Sequence, residues 1–293
     1  MRNILVWLMG LVSGGGMMAQ ALPASDSVPE IPQSLLWRIE HPEWKAPSYV
    51  FGTIHMIGAE DFFWPEELDT SFAQTQQLAL EVDMDDPAQM ALMLTGSMMK
   101  DGSSLSSLLD SAEFARVSRF FEDSVKMPVM MLQRMKPMLL GSMFYPLMLK
   151  GKTLSYEQEL LKKAKAADME VIGVESLADQ LAMMDSIPYQ EQAQMLVTQV
   201  DSFQQQKAQL QSMIDLYKTQ NLEELQRLME SEEDLEDHQD VMLNDRNARW
   251  IPVIQRESTA MPTFYAVGAG HLAGEKGVLA LLKAAGCSVQ PVL

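Results

Sequence analysis

Short apolar runs recur along the chain, and four of them end next to a histidine or a glutamate. The runs cover residues 49–51, 78–80, 171–174 and 264–267, and the side chains that follow them are His55, Glu81, Glu175 and His271. An apolar run of this length, bounded by polar residues or glycine, is typical of a buried β-strand. We therefore predict that each of the four side chains lies just beyond the C-terminal end of a strand.

Helical patterns fill most of the remaining chain. They predict a large helical insertion over about residues 85–165 and a further helical region over about 176–256. A hairpin near residues 35–51 precedes them, and a strand, a helix and a final strand close the chain. This alternation predicts an α/β (α+β) protein, with a mixed central sheet flanked by helices and a large helical insertion or cap. We expect residues 34–293 to form one domain.

The first residues have the pattern of a secretory signal peptide. Arg2 precedes an apolar stretch over residues 4–12, and Ala19-Gln20-Ala21 provides a small-x-small cleavage site. We predict a signal peptide over residues 1–21 and a leader or linker over 22–33, and hence a periplasmic or secreted protein. The apolar stretch is shorter than the roughly 20 residues that a bilayer requires, so we expect no stable membrane span after cleavage.

Composition narrows the range of partners and cofactors. The chain has 293 residues and a formal net charge of -18, with 40 acidic and 22 basic side chains. Such a surface repels phosphate backbones, which argues against nucleic acid as a partner. The chain has a single cysteine, Cys287, so no intrachain disulfide and no thiolate cluster can form.

The four side chains after the strands suit a metal site. The C-terminal ends of parallel strands meet at one edge of a sheet, so His55, His271, Glu81 and Glu175 are expected to converge there. Imidazole nitrogens and carboxylate oxygens bind divalent manganese, cobalt, zinc or iron. Each histidine on its own is also compatible with a hydrogen-bonded turn residue, and that alternative stays open.

An ordered set of motifs resembles a known family. The motifs are Ser48-Tyr49-Val50-Phe51-Gly52-Thr53-Ile54-His55, Glu81-Val82-Asp83, Gly173-Val174-Glu175 with Asp179-Gln180, Arg246-Asn247-Ala248-Arg249-Trp250, and Val267-Gly268-Ala269-Gly270-His271-Leu272-Ala273-Gly274. Together they resemble the TraB/PrgY/GumN family, which is similar to the Tiki metalloproteases and to the erythromycin-esterase/ChaN-like superfamily. The resemblance covers about residues 34–292.

The resemblance implies a role for particular residues. For the Tiki branch it implies metal-dependent peptide cleavage that requires both Gly-x-x-His motifs and a glutamate, here His55, His271 and either Glu81 or Glu175. We favour Glu81 as the third ligand and Glu175 as general base or further ligand. Arg246 and Asn247 would bind a substrate carboxylate, hold a ligating glutamate, or form a structural ion pair.

Three functions follow from these expectations. The first is a metal-dependent hydrolase that acts on a peptide or protein substrate. The second is a non-catalytic protein that sequesters peptides, with the methionine-rich segment over residues 127–150 as a lid or as ordinary helix core. The third is a protein that binds a metal or a cofactor without turnover. The residues alone leave open which of the three applies, and whether the chain is an enzyme.

Overall fold

The computed structural model describes residues 33–230 and 239–293. The predicted signal peptide, over residues 1–21, lies outside the described residues. In the part of the chain that the structure describes, no helix is long and apolar enough to cross a membrane.

The strands of the described residues are β1 (Leu36–Glu40), β2 (Ser48–Thr53), β3 (Ile57–Gly58), β4 (Gln77–Leu80), β5 (Thr153–Leu154), β6 (Glu170–Gly173), β7 (Thr263–Gly268) and β8 (Ser288–Pro291). Six of them form a mixed sheet at the centre of the molecule, in the order β6-β4-β7-β2-β1-β8. The predicted fold class, a mixed sheet flanked by helices, is confirmed.

The four strands that precede the candidate residues run parallel. Strand β7 lies between β2 and β4, and β6 follows β4, all in parallel register. Every residue of β2, β4 and β7 is buried, because helices cover both faces of a parallel sheet. Strands β1 and β8 extend the sheet in antiparallel register, with Trp37 opposite Val50 in the hairpin.

Helices make up most of the rest of the described chain. They are α1 (Glu66–Phe72), α2 (Pro87–Gly96), α3 (Leu105–Leu108), α4 (Ser111–Phe120), α5 (Pro137–Ser142), α6 (Tyr145–Met148), α7 (Tyr156–Ala166), α8 (Leu177–Ser186), α9 (Tyr189–Asp201), α10 (Phe203–Lys218), α11 (Leu222–Glu230), α12 (Asp245–Ala260) and α13 (Val278–Ala284). Several begin at side-chain caps. Ser176, for example, forms a capping box with Asp179 at the start of α8.

The methionine-rich segment is not one helix. It contains a 3₁₀ turn (Val129–Met131) and then the short helices α5 and α6, each of which has a proline in its first turn. Proline fits the first turn of a helix, whereas in the interior it removes a hydrogen-bond donor and clashes with the preceding turn, so it favours a break before each of these positions. A further feature that the pattern did not predict is the two-stranded pairing of β3 with β5, which joins the segment just after β2 to the end of the insertion.

Candidate metal centre

Three of the candidate side chains meet above the centre of the sheet. His55 follows β2, Glu81 follows β4 directly, and His271 ends a 3₁₀ turn after β7, so the three come from neighbouring strands. All three are buried. The Oε1 atom of Glu81 lies 3.6 Å from Nε2 of His55 and 3.9 Å from Nε2 of His271. Each of the two rings therefore has its Nε2 atom within 4 Å of the same oxygen, Oε1 of Glu81.

Gly268 keeps the space between these three groups open. A Cβ atom at this position would lie 3.3 Å from Oε1 of Glu81, 3.6 Å from Cδ2 of His271 and 3.7 Å from Nε2 of His55. The backbone N–H of Gly268 also donates a 2.9 Å hydrogen bond to Oε1 of Glu81. A larger residue would thus occupy the space toward which both histidines point. The glycine of the other motif, Gly52, has a packing role, since a Cβ there would lie 2.8 Å from Leu272.

His55 is held from behind by a carboxylate that the sequence did not indicate. Its Nδ1 atom lies 2.6 Å from Oε1 of Glu157, the second residue of α7. Burial alone would lower the pKa of His55. The charge and hydrogen bond of Glu157, together with the charge of Glu81, outweigh that effect and raise the pKa to about 9. Among the described residues, the buried Nε2 atom of His55 has no hydrogen-bond partner.

His271 is held by an amide instead. Its Nδ1 atom lies 2.6 Å from Oδ1 of Asn247, whose Nδ2 group donates to the carbonyl of Lys276. This second bond orients the amide so that its oxygen faces the ring, and Nδ1 of His271 carries the proton. Burial and the positive charge of Arg246 lower the pKa of His271 to about 3, so the ring is neutral. The indole of Trp250 packs on it at 4.3 Å between ring centres.

Arg246 links the two glutamates. Its Nη2 atom donates a 2.7 Å hydrogen bond to Oε2 of Glu81 and also contacts Glu175. Burial would raise the pKa of Glu81, but the charge of Arg246, the two histidines and the Gly268 N–H lower it to about 2. Glu81 is therefore ionised. Arg246 thus forms ion pairs with Glu81 and Glu175, contacts that are common to a structural ion pair and to a residue that holds a ligating glutamate.

Glu175 is enclosed by donors. Besides Arg246, Gln180 donates to its Oε1 atom over 2.8 Å, and the indole N–H of Trp250 lies 3.2 Å from Oε2. Gln180 also lies 3.4 Å from Oε2 of Glu81. In this arrangement Glu175 contacts the centre through Arg246 and Gln180.

A wide helical turn sets the position of Arg246. Residues Asp240–Asn244 form a π-helical turn directly before α12, and the carbonyl of Met242 in this turn accepts a 3.0 Å hydrogen bond from Nη1 of Arg246. The same Nη1 atom lies 3.1 Å from Nε2 of His271. The π turn thus places a backbone carbonyl where it can hold a buried guanidinium, a use of irregular helix that is common near functional sites.

The charges of these buried groups do not balance. With both histidines neutral, the described part of the chain places three carboxylates (Glu81, Glu157 and Glu175) around the guanidinium of Arg246, a formal charge of about -2 for these groups. Burying uncompensated charge is costly, so the centre favours a bound cation or a proton on His55. Among the described residues, no group of three or more His, Cys, Asp or Glu side chains forms a ready-made set of metal ligands.

Sequence patterns pointed to His55, Glu81, His271 and Glu175 but not to Glu157. Glu157 lies in the first turn of α7, where acidic residues are common because they interact favourably with the helix dipole. Nothing in the local pattern separates this glutamate from Glu159, two positions later, which is partly exposed and pairs with Lys162. Its importance follows only from the fold, which places the start of α7 behind β2.

Comparison with known proteins assigns the family. The model of the TraB/PrgY/gumN family matches residues 35–291, so the chain belongs to that family. Two relatives match a segment of 90 residues, which is 30% of this chain: Metalloprotease TIKI2 of Danio rerio at 28% identity and Metalloprotease TIKI1 of Xenopus tropicalis at 32%. That segment is 17% of the length of each relative. No solved structure shows a significant match.

Proposed function

We propose that this member of the TraB/PrgY/gumN family is a metal-dependent hydrolase that cleaves peptide bonds, with His55, His271 and Glu81 as the metal ligands. The observation that carries the proposal is the open space beside Gly268, into which two imidazole nitrogens and one ionised carboxylate oxygen point. The names of the two relatives, both metalloproteases, support the reaction class.

The donor set fits a divalent cation in three respects. Nε2 of His55 is a buried nitrogen without a hydrogen-bond partner in residues 33–230 and 239–293, as expected of a ligand. Each histidine anchors its other nitrogen on a buried acceptor, Glu157 or Asn247, which is the usual support for metal-binding histidines. A dication would also balance the formal charge of the centre. One rearrangement is required: Nη1 of Arg246 must release Nε2 of His271, while it keeps its bond to Met242.

A metal in this place would lower the pKa of a coordinated water toward about 7 and polarise a peptide carbonyl. The protein would supply the rest. Arg246 keeps Glu81 ionised and fixes its direction, and Asn247 keeps the proton of His271 on Nδ1. The burial of the centre strengthens each of these electrostatic interactions.

Glu175 remains our proposal for general base or further ligand, and its present contacts define what that role requires. To accept a proton, one of its oxygens must lose a donor, since Arg246, Gln180 and Trp250 all bond to it. If it does not, Glu175 acts by holding Arg246 against Glu81. Replacement by glutamine distinguishes the roles of the two glutamates. Glu81→Gln should lose metal, whereas Glu175→Gln should keep metal and show a kcat that is roughly 10²-fold lower.

Metal analysis of the purified protein, combined with turnover of a peptide library, tests the function. We expect about one manganese, cobalt, zinc or iron ion per chain and cleavage by the loaded protein. His55→Ala, His271→Ala and Gly268→Ala should each lose most of the metal. The last variant keeps every donor and fills only the space. His41→Ala, in the hairpin loop between β1 and β2, is the matched control and should keep the metal.

The same measurements discriminate the alternatives. Metal without turnover would favour a metal or cofactor carrier, and neither metal nor turnover would favour sequestration of peptides. Metal content that is unchanged in both histidine variants would leave His55 and His271 as turn residues and would overturn the proposed centre.

A further inference from the structure

We propose that Glu157 is the positioning residue of His55: it holds the ring with the proton on Nδ1, so that Nε2 is left free to bind a metal. The metal-binding role of Nε2 rests on the proposed function, whereas the position of the proton rests on hydrogen bonds that are present in the protein without a metal. Neither the motifs nor the family resemblance assigns a role to Glu157.

Three donors converge on the Glu157 carboxylate. Oε1 lies 2.6 Å from Nδ1 of His55 and accepts a 2.6 Å hydrogen bond from the hydroxyl of Thr53, while Oε2 accepts a 2.8 Å bond from the hydroxyl of Ser155. An ionised carboxylate can only accept, so the nitrogen of His55 that faces it must donate. The two hydroxyl groups add fixed donors on either side and restrict the carboxylate to one orientation.

The start of α7 makes this arrangement possible. Ser155 is the N-cap residue, and its hydroxyl oxygen accepts from the backbone N–H of Gln158. The positive end of the helix dipole stabilises an ionised glutamate in the first turn. The 2.6 Å contact with Nδ1 of His55 also stabilises the ionised carboxylate, because a hydrogen bond to the charged form favours that form. Thr53 belongs to β2, two residues before His55, so strand and helix fix the pair together.

The alternative tautomer shows why the position matters. If Nδ1 lost its acceptor, the proton of the neutral ring would move to Nε2, which lies 3.6 Å from Oε1 of Glu81. A hydrogen bond to Glu81 would then use the nitrogen that the metal requires. Glu157 therefore selects the tautomer of His55 that can bind a metal. Its negative charge also makes Nε2 of His55 a stronger metal ligand than Nε2 of His271, because His271 is held by the neutral amide of Asn247.

The experiment compares Glu157→Leu, Glu157→Gln and the control Glu159→Gln in the full chain. Nitrogen-15 NMR of the histidine rings in metal-free protein, recorded at alkaline pH after titration of the rings to the neutral form, reports the tautomer directly. We expect the Nδ1–H form in the wild type and the control, and the Nε2–H form in Glu157→Leu. Manganese and zinc titrations should show affinity about 10- to 100-fold weaker in Glu157→Leu, with a smaller loss in Glu157→Gln.

The outcomes separate this inference from the proposed function. A wild type that binds no metal but changes tautomer in Glu157→Leu would contradict the proposed function and support the positioning role. A wild type that binds metal, with the same tautomer and affinity in all variants, would overturn the positioning role. If Glu157→Leu fails to fold, Glu157→Ala takes its place, because alanine, unlike glutamine, cannot accept from Nδ1: a tautomer and affinity equal to those of the control overturn the inference, and the Nε2–H form with weaker affinity supports it.

Discussion

The sheet edge that carries the candidate centre and the methionine-rich segment over residues 127–150 use burial in opposite ways. At the sheet edge, polar and charged side chains are buried and bonded to each other; Arg246, for example, is 0% exposed. In the methionine-rich segment, Leu140 and Phe144 are fully buried, while Met130 and Met131 are 61% and 77% exposed.

The difference between the two regions indicates how well each of them tolerates substitutions. Buried charges cost free energy unless their partners are in place, so the sheet edge tolerates few changes. The methionine-rich segment gains stability from non-directional apolar burial and leaves its exposed methionines free to change. The comparison therefore predicts that single substitutions have large effects at the sheet edge and small ones at the exposed methionines.

The largest effect is expected when Arg246 is replaced by leucine. The variant leaves the carboxylates of Glu81 and Glu175 buried without their cation, which should lower the free energy of unfolding by about 3–5 kcal/mol. Urea denaturation of metal-free protein measures the change.

The control for this prediction is Arg256→Leu on the same helix, α12. Arg256 is exposed and pairs with Glu257, so its replacement should change stability by no more than about 1 kcal/mol. Equal losses in the two variants would show that the buried charge network contributes nothing specific.

The two histidines should give the metal-free protein opposite pH dependences. The folded pKa of His271, about 3, lies below its ordinary value of 6.5, so its stabilisation is complete above pH 6.5 and is lost as the pH falls toward 3. The folded pKa of His55, about 9, lies above 6.5, so its contribution is complete below pH 6.5 and is lost as the pH rises through 9.

Urea denaturation across this range, with a chelator present, checks the prediction. His271→Asn should flatten the acid side of the stability curve and His55→Asn the alkaline side. Glu81 should cause a further loss as the pH falls from 4.5 toward 2, because its folded pKa is lowered. The prediction fails if either substitution flattens the opposite side.

The sequence predicts the sheet edge better than it predicts the helices. Strand ends are recognisable from short apolar runs, and parallel pairing brings their following residues together, so the pattern of residues alone is enough to group His55, Glu81 and His271. Glu157 could not be grouped with them, because its position behind β2 depends on tertiary packing of the insertion. Pro137 and Pro146 mark the first turns of α5 and α6, but the apolar pattern of the methionine-rich segment does not by itself give the bounds of these short helices.

The smallest effect on stability is expected at the exposed methionines. Hydrogen peroxide should convert Met130 and Met131 to sulfoxides before Met183 and Met184, which are 5% and 2% exposed and pack against Leu139 and Ile187. A sulfoxide at an exposed position removes no packing, so the free energy of unfolding should change by no more than about 0.5 kcal/mol. Mass spectrometry of peptides measures the order of oxidation, and urea denaturation measures the stability of the partly oxidised protein. Oxidation of Met183 and Met184 at the same rate as Met130 and Met131 would mean that the packing around α8 opens readily. The difference between the methionines and the sheet edge would then reflect mobility as well as burial.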